Sequence, residues 1–277
     1  MTRRYAALAR LLSYLFLCLV CLVFITPFIW MVANSLKLDS EITKIPLTLF
    51  GSKLAWHNYV RMWNSWPFGR FITNGLVVAV IGTALCLVTS SLAAYAFSKL
   101  HFRGRDRLFL MYLATLMIPQ QALIIPLFLL VNALRWVNTY QALILPWAFT
   151  AFGTFMLRQF FMAVPADFSE AAIMEGANHP YILATIVLPL AKAGIATLTV
   201  FTFIMYWNNY QWPMIITNRP EMFTFPLGLG MFQGQYGTVW NLMMAGATLS
   251  VVPAIAIYAF AQKYLVGGLT LSGLGGR

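Results

Sequence analysis

Along most of this chain apolar residues run on without the regular polar interruptions of an amphipathic helix or a half-buried strand. Six such runs lie near 11–33, 72–98, 108–131, 139–161, 194–217 and 241–263. Each is long enough to cross a bilayer as a helix, which takes about 20 apolar residues. Helix is the required form, because hydrocarbon offers no partner to an open backbone N–H or C=O. The pattern therefore predicts an all-α, polytopic membrane protein with six transmembrane helices. Between the fourth and fifth runs lies the longest comparatively polar interval of the second half. It reads as two short helices joined at a tight turn. Asp167 or Ser169 is expected to cap the first, and Gly176 suits the left-handed residue that ends it. Asn178 offers a second cap, with Pro180 in the first turn of the next helix, where its missing N–H leaves no bond unmade.

Composition agrees with this reading. Of 277 residues, 61% are hydrophobic and only 9% charged, and the mean hydropathy is +0.76. Soluble domains carry about 25% charged residues. The formal net charge of +11 does not point to nucleic acid, because the basic residues stand at the edges of the apolar runs. Most of the 18 Lys and Arg fall on one side if the N-terminus is cytoplasmic, among them Arg3, Arg4, Arg10, Lys99, Arg103, Arg105, Arg107, Arg158, Lys192 and Lys263. Most of the rest share one long outer loop, where the positive-inside rule has little force. Both termini are thus expected in the cytoplasm of a multi-pass cell-membrane protein. The N-terminal run is too long for a secretory h-region and lacks a small-x-small cleavage site, so it is expected to stay as the first span.

Chemistry is sparse. Cys18 and Cys21 have CxxC spacing but no polar neighbours on a lipid-embedded helix, and read as small apolar residues. His101 and His179 stand far apart as surface residues, so no metal site is expected. The apolar centres of the six spans hold no ionisable group, which argues against an ion-driven carrier or a pump that moves protons and leaves an ion-coupled carrier or channel as the distant alternative. There is no phosphate-cradling G-x-x-x-x-G-K-[ST], no G-x-S-x-G elbow and no H-E-x-x-H. No catalytic residue and no cofactor of its own is expected. The fifth span does carry a cluster, Tyr206 through Trp212 with Trp207, Asn208, Asn209 and Gln211. Aromatic faces stack on sugar rings and carboxamides both donate and accept, which suits a neutral polyhydroxy solute. Bonding between helices, with Trp212 at the outer interface, is the alternative. Pro119-Gln120-Gln121, Pro126 and Pro146 predict kinks whose freed carbonyls need partners, in helices that either line a changing cavity or are simply bent. Trp56, Trp63 and Trp66 of the outer loop read as an interfacial belt first and a partner surface second.

The polar interval holds Glu170-Ala171-Ala172, then three residues, Gly176, nine residues, and Ile186-Val187-Leu188-Pro189. This resembles the EAA loop of ABC-importer permeases. The end of the chain, from Gln262 to Arg277, resembles the tail of the MalG-type permeases of maltose-class carbohydrate importers. Further likeness lies in Pro27 through Lys37, Ala93 through Phe97, Phe155 through Phe161, Trp207-Asn208 and Pro226 through Ala245, so it covers nearly the whole chain. Glu175 departs from the family's usual Asp, Ala193 from a frequent Pro, and the terminal Gly-Gly-Arg from a common Lys-Gly.

The resemblance implies a type I ABC importer permease fold and a permease subunit for sugar uptake by alternating access. It implies a MalF-like partner permease, two cytoplasmic ABC ATPase subunits that bind the ATP and Mg, and an extracytoplasmic sugar-binding protein, all in the lipid bilayer and without nucleic acid. Glu170, Ala171, Ala172, Glu175, Gly176, Leu188 and Pro189 would couple to the ATPase. Val266, Gly267, Gly268, Leu269, Thr270, Ser272 and Gly273 would touch the ATPase dimer. Trp207, Asn208, Asn209, Gln211, Gln120 and Gln121 are the expected substrate pathway. The expected organisation is 1–71 for the first helix and outer loop, 72–263 for the core with its coupling loop at 163–193, and 264–277 for the tail. The same architecture importing a glycerol phosphate, an amino sugar or a peptide is the rival.

Overall fold

The computed structural model describes residues 2–46, 48–234 and 237–272, with side chains placed for 8–46, 48–234 and 237–264. The chain is helical almost throughout. In order the helices are α1 (Thr2–Ser35), α2 (Asp39–Ile42), α3 (His57–Ser65), α4 (Phe68–Lys99), α5 (Arg105–Ala114), α6 (Gln120–Ala133), α7 (Tyr140–Ile144) and α8 (Ala151–Met162). There follow α9 (Ala166–Met174), α10 (His179–Ile182), α11 (Leu188–Leu190), α12 (Lys192–Trp207), α13 (Gln211–Ile216), α14 (Phe225–Gly230) and α15 (Trp240–Ser272). A two-residue antiparallel ladder, Gln233 opposite Thr238 and Gly234 opposite Gly237, lies between the last two.

Among the described residues three helices cross unbroken in length and hydropathy: Leu8–Ser35, Phe68–Lys99 and Trp240–Tyr264. Three further spans are bent pairs, Arg105–Met117 with Gln120–Ala133 at 95°, Tyr140–Trp147 with Ala151–Met162 at 50°, and His179–Leu190 with Lys192–Trp207 at 84°. Six spans result when each pair is one crossing. The fifth departs from the expected 194–217. It stops at Trp207, and α13 is a separate short helix. Asn209 Oδ1 accepts from the Trp212 amide at 3.2 Å, a side-chain bond that replaces a rung of the helical ladder.

Proline explains part of the bending. Pro146 has no N–H for the carbonyl four residues back, that of Ala142. Trp212 Nε1 donates to this Ala142 oxygen at 2.8 Å, and the Tyr206 hydroxyl donates to the Ile144 oxygen at 2.8 Å. Thr89 Oγ1 donates to the Ala148 oxygen at 2.7 Å. The freed carbonyls are thus satisfied inside the protein, as apolar surroundings demand.

The described residues form two compact units, 2–68 with 229–252 and 69–228 with 253–272. In the first, Asn58 is fully buried and donates to the carbonyls of Ser35 and Lys37 at 2.8 Å each, while Asn241 donates to its Oδ1 at 3.3 Å. Lys37 is buried too, its ammonium bonded to the Thr48 carbonyl and 5.2 Å from the Trp30 ring. These bonds fix the turn that leaves α1. Phe68 stacks on Phe232 at 5.7 Å. In the second unit α4 and α12 approach closely at Gly82, where an added Cβ would lie 2.5 Å from the Tyr206 ring. Only a residue without a side chain permits that contact.

Candidate functional site

The polar interval folds as a hook on a packed base. Ala94 and Tyr95 of α4, Leu157 and Phe161 of α8, Ile182 of α10 with Leu183 and Val187 after it, and Leu198 of α12 form a buried cluster under it. Ala172, Ala177 and Leu188 pack against that cluster from the hook. Polar bonds tie the same elements. The Tyr95 hydroxyl and His179 Nδ1 share a hydrogen bond at 3.0 Å. Lys99 Nζ donates to the Val164 carbonyl at 2.7 Å, and Arg158 Nε to the Phe97 carbonyl at 3.1 Å. The Arg158 guanidinium lies 4.2 Å from the Phe109 ring, with Nη2 3.7 Å from Asp106. Arg158, near the end of a span, thus meets a ring and a carboxylate within the chain, the carboxylate being shared with Arg105.

The hook begins at Pro165, with no side-chain oxygen on the first amides of α9. The expected caps are corrected here. Asp167 stands inside the first turn, where its charge still meets the positive end of the helix dipole. Ser169 faces inward, 8% exposed, with no hydrogen-bond partner for Oγ. The far end follows expectation. Gly176 lies at φ +87°. Its N–H bonds the Ile173 carbonyl at 2.9 Å, and the Ala177 N–H bonds the Ala172 carbonyl at 2.9 Å, the paired closure of a Schellman turn. Asn178 Oδ1 then accepts from the Tyr181 amide at 2.9 Å, with Pro180 in the first turn of α10. A π-helical turn over Leu183–Val187 leads to Leu188 and Pro189.

Phe168, Ala171 and Met174 recur every third residue and so share one outer face of α9. All three are exposed, Met174 by 88%, with Glu170 and Glu175 exposed beside them. The helix thus carries a bare apolar stripe flanked by carboxylates. Ala171 leaves a shallow place between two larger side chains, whereas Ala172 is turned toward the base. Pro189 is exposed and Leu188 half-buried. Beside the hook lies a cleft of about 890 Å³ lined by Lys99, His101, Val164, Ser169, Glu170 and His179.

The expected pathway residues separate into two groups. Asn208, Gln211, Gln120 and Gln121 are exposed and Asn209 half-buried, each at a helix break. Trp207 is only 1% exposed, lying between Phe203 at 6.4 Å and Phe225 at 5.9 Å, near-parallel to both. It packs inside the chain, so its faces are closed to a solute. Of the tail, Val266 through Ser272 continue α15 as backbone helix, and Gly273 lies outside the described residues. No group of three or more His, Cys, Asp or Glu is placed to hold a metal among the described residues. Sequence reasoning missed the roles of His179, Tyr95, Lys37 and Asn58, whose partners lie far away along the chain.

The family described as binding-protein-dependent transport system inner membrane component matches residues 86–270. The trehalose/maltose transport system permease protein MalG of Thermococcus litoralis is 34% identical, over 99% of this chain and 100% of its own. The sn-glycerol-3-phosphate transport system permease protein UgpE of Yersinia enterocolitica is 35% identical, over 90% and 92%. Among solved structures, a bacterial ABC transporter involved in the import of the acidic polysaccharide alginate superposes with a TM-score of 0.80 at 25% identity, covering 94% of this chain and 98% of that one. The methionine transporter MetNI, at 15% identity, a TM-score of 0.56 and coverage of 74% and 97%, shares the fold.

Proposed function

The chain belongs to the family of binding-protein-dependent transport system inner membrane components, and on that premise we propose that α9 is the lever through which separate ATPase subunits drive this permease. The observation that carries the reading is the exposed Phe168-Ala171-Met174 face with Glu170 and Glu175, closed by Gly176 and seated on a base that draws on α4, α8 and α12. Such a unit moves as a body, so a push on α9 reaches α4, α8 and α12 together. The ATPase subunits, two in number, bind ATP and Mg. Glu170 pairs with a basic residue of one of them, Ala171 allows close approach, and Leu188 with Pro189 carries the movement into α12. Both termini and α9 face the cytoplasm, which the basic residues at 99–107, 158 and 192 support. Val266 through Gly273 are the tail residues that touch the ATPase dimer.

The solute is a carbohydrate, delivered by an extracytoplasmic binding protein and passed between this chain and a MalF-like partner permease. Exposed Asn208, Gln211, Gln120 and Gln121, with half-buried Asn209, offer it hydroxyl-matching amides, and Trp207 stiffens the wall behind them. The 35% identity to a glycerol-3-phosphate permease favours an organic phosphate as the second reading. Coupling is tested with Glu170→Lys in the complete transporter in proteoliposomes. ATP hydrolysis without uptake is expected, and uptake at the wild-type ratio to hydrolysis removes the assignment.

A further inference from the structure

We propose that the groove between the first turns of α12 and the last turns of the Trp240–Tyr264 span is a site for one anionic phospholipid. The groove, about 450 Å³, has walls of Leu188, Ile195, Ile257 and Phe260, with Lys192 and Tyr264 at its boundary. Its floor is closed where Ala196 and Val200 of α12 pack with Ala261. Apart from Tyr264, the one hydroxyl in its lining is that of Thr199, which already donates to the Ile195 carbonyl at 2.7 Å. Nothing polar along the wall is left to recognise a peptide, and the space suits acyl chain.

The charge is confined to one end. Lys192 begins α12, the second limb of the bent fifth span, and Tyr264 closes the sixth, and the one groove takes both into its lining. Lys192 is there, and Lys263 holds its ammonium 5.0 Å from the Tyr264 ring. Both lysines are exposed, and neither is in an ion pair among the described residues. A lysine at a span end extends its stem along apolar surface and its ammonium into the headgroup layer. Tyrosine is favoured at the same depth. Two unpaired cations above an oily groove complement a phosphate with a net negative charge better than a zwitterion.

The test uses the full chain in its assembled transporter, in phosphatidylcholine vesicles carrying a trace of photoactivatable phosphatidylglycerol or of the matching phosphatidylcholine probe. Label on peptides covering 188–199 and 257–264 is expected from the glycerol lipid in excess over the choline lipid. Lys192→Gln and Lys263→Gln should each lower that excess by about five-fold, the fold-change equivalent to ~1 kcal/mol for one basic residue at an anionic surface. Lys→Arg at both positions should preserve it, which separates loss of charge from loss of folding. Ala261→Trp, which fills the floor, should abolish label from both probes. Equal labelling by the two lipids, or an excess that survives both Lys→Gln changes, overturns the proposal. So does crosslinking of the groove to another polypeptide with no lipid adduct.

Discussion

Replacing Gly176 separates two explanations of why a glycine ends α9. The residue lies at φ +87°, and a Cβ built on it meets nothing within 4 Å. A side chain there clashes with no part of this chain, so the whole cost within the chain is backbone strain. For an ordinary residue in the left-handed region that is about 1–2 kcal/mol. The two 2.9 Å bonds that close the hook, from Gly176 and Ala177, both need this conformation. Strain of that size shifts the ratio of closed to opened hooks by roughly 5- to 30-fold. Asn tolerates the left-handed region, whereas a β-branched residue does not. In proteoliposomes, solute taken up per ATP hydrolysed should therefore fall in the order Gly176, Gly176→Asn, Gly176→Ala, Gly176→Val. If Gly176 instead serves as a contact where an ATPase must come close, the order follows size, and Ala outperforms Asn. That second order would refute the backbone argument.

Other consequences follow from the same geometry. Tyr95→Phe and His179→Phe each remove the 3.0 Å bond at the base of the hook. A hydrogen bond contributes about 1 kcal/mol net, less than the roughly 1.5–3 kcal/mol for burying one large apolar side chain. The buried cluster should keep the hook folded while amide-exchange protection over 166–182 drops about five-fold. The double variant should match either single one, and an additive loss would show that the two residues act separately. Asn58→Ala strands two buried carbonyls, at about 1–3 kcal/mol each. It should lower the thermal unfolding midpoint clearly, and an unchanged midpoint contradicts the role given to Asn58. Glu41 is held below the usual carboxylate range by hydrogen bonding from Ser52, whose amide lies 3.1 Å from Oε1. Because the folded value is the lower one, the ordering it gives the loop is complete above the normal carboxylate range and is lost as pH falls through the folded value. Exchange protection of the Ser52 amide should decline on acidification, and Glu41→Gln should flatten that profile. A profile unaltered by the substitution would count against it.

Local chemistry made some elements legible. The spans follow from uninterrupted apolar runs, and the turn at Gly176–Asn178 from residue types that suit few other conformations. The breaks were harder, because the sequence stays apolar through Ile118-Pro119, Ala148–Thr150 and Ala191 while the axis turns. Proline gave the position of two such bends but not their angles. The caps at Asp167 and Ser169 failed because α9 already begins after Pro165, which puts both residues inside the helix and Ser169 on the side of the cleft. The polar cluster of the fifth span was read as helix because a cost for amides in lipid does not say whether they bond across helices or end one. Asn209 ends one. Trp207 carried the chemistry of a sugar platform, but its burial depends on Phe203 and Phe225, and Phe225 lies in another element. The same reason hid Asn58, Lys37 and the Tyr95–His179 pair, whose partners are set by tertiary packing.

The account rests on the outer face of α9 being the surface that meets the nucleotide-hydrolysing subunits. A photocrosslinking residue in place of Ala171, in the complete and active transporter, tests it directly. The predicted product joins this chain to an ATPase subunit. An adduct to lipid or to the extracytoplasmic binding protein, formed while transport continues, would contradict the account.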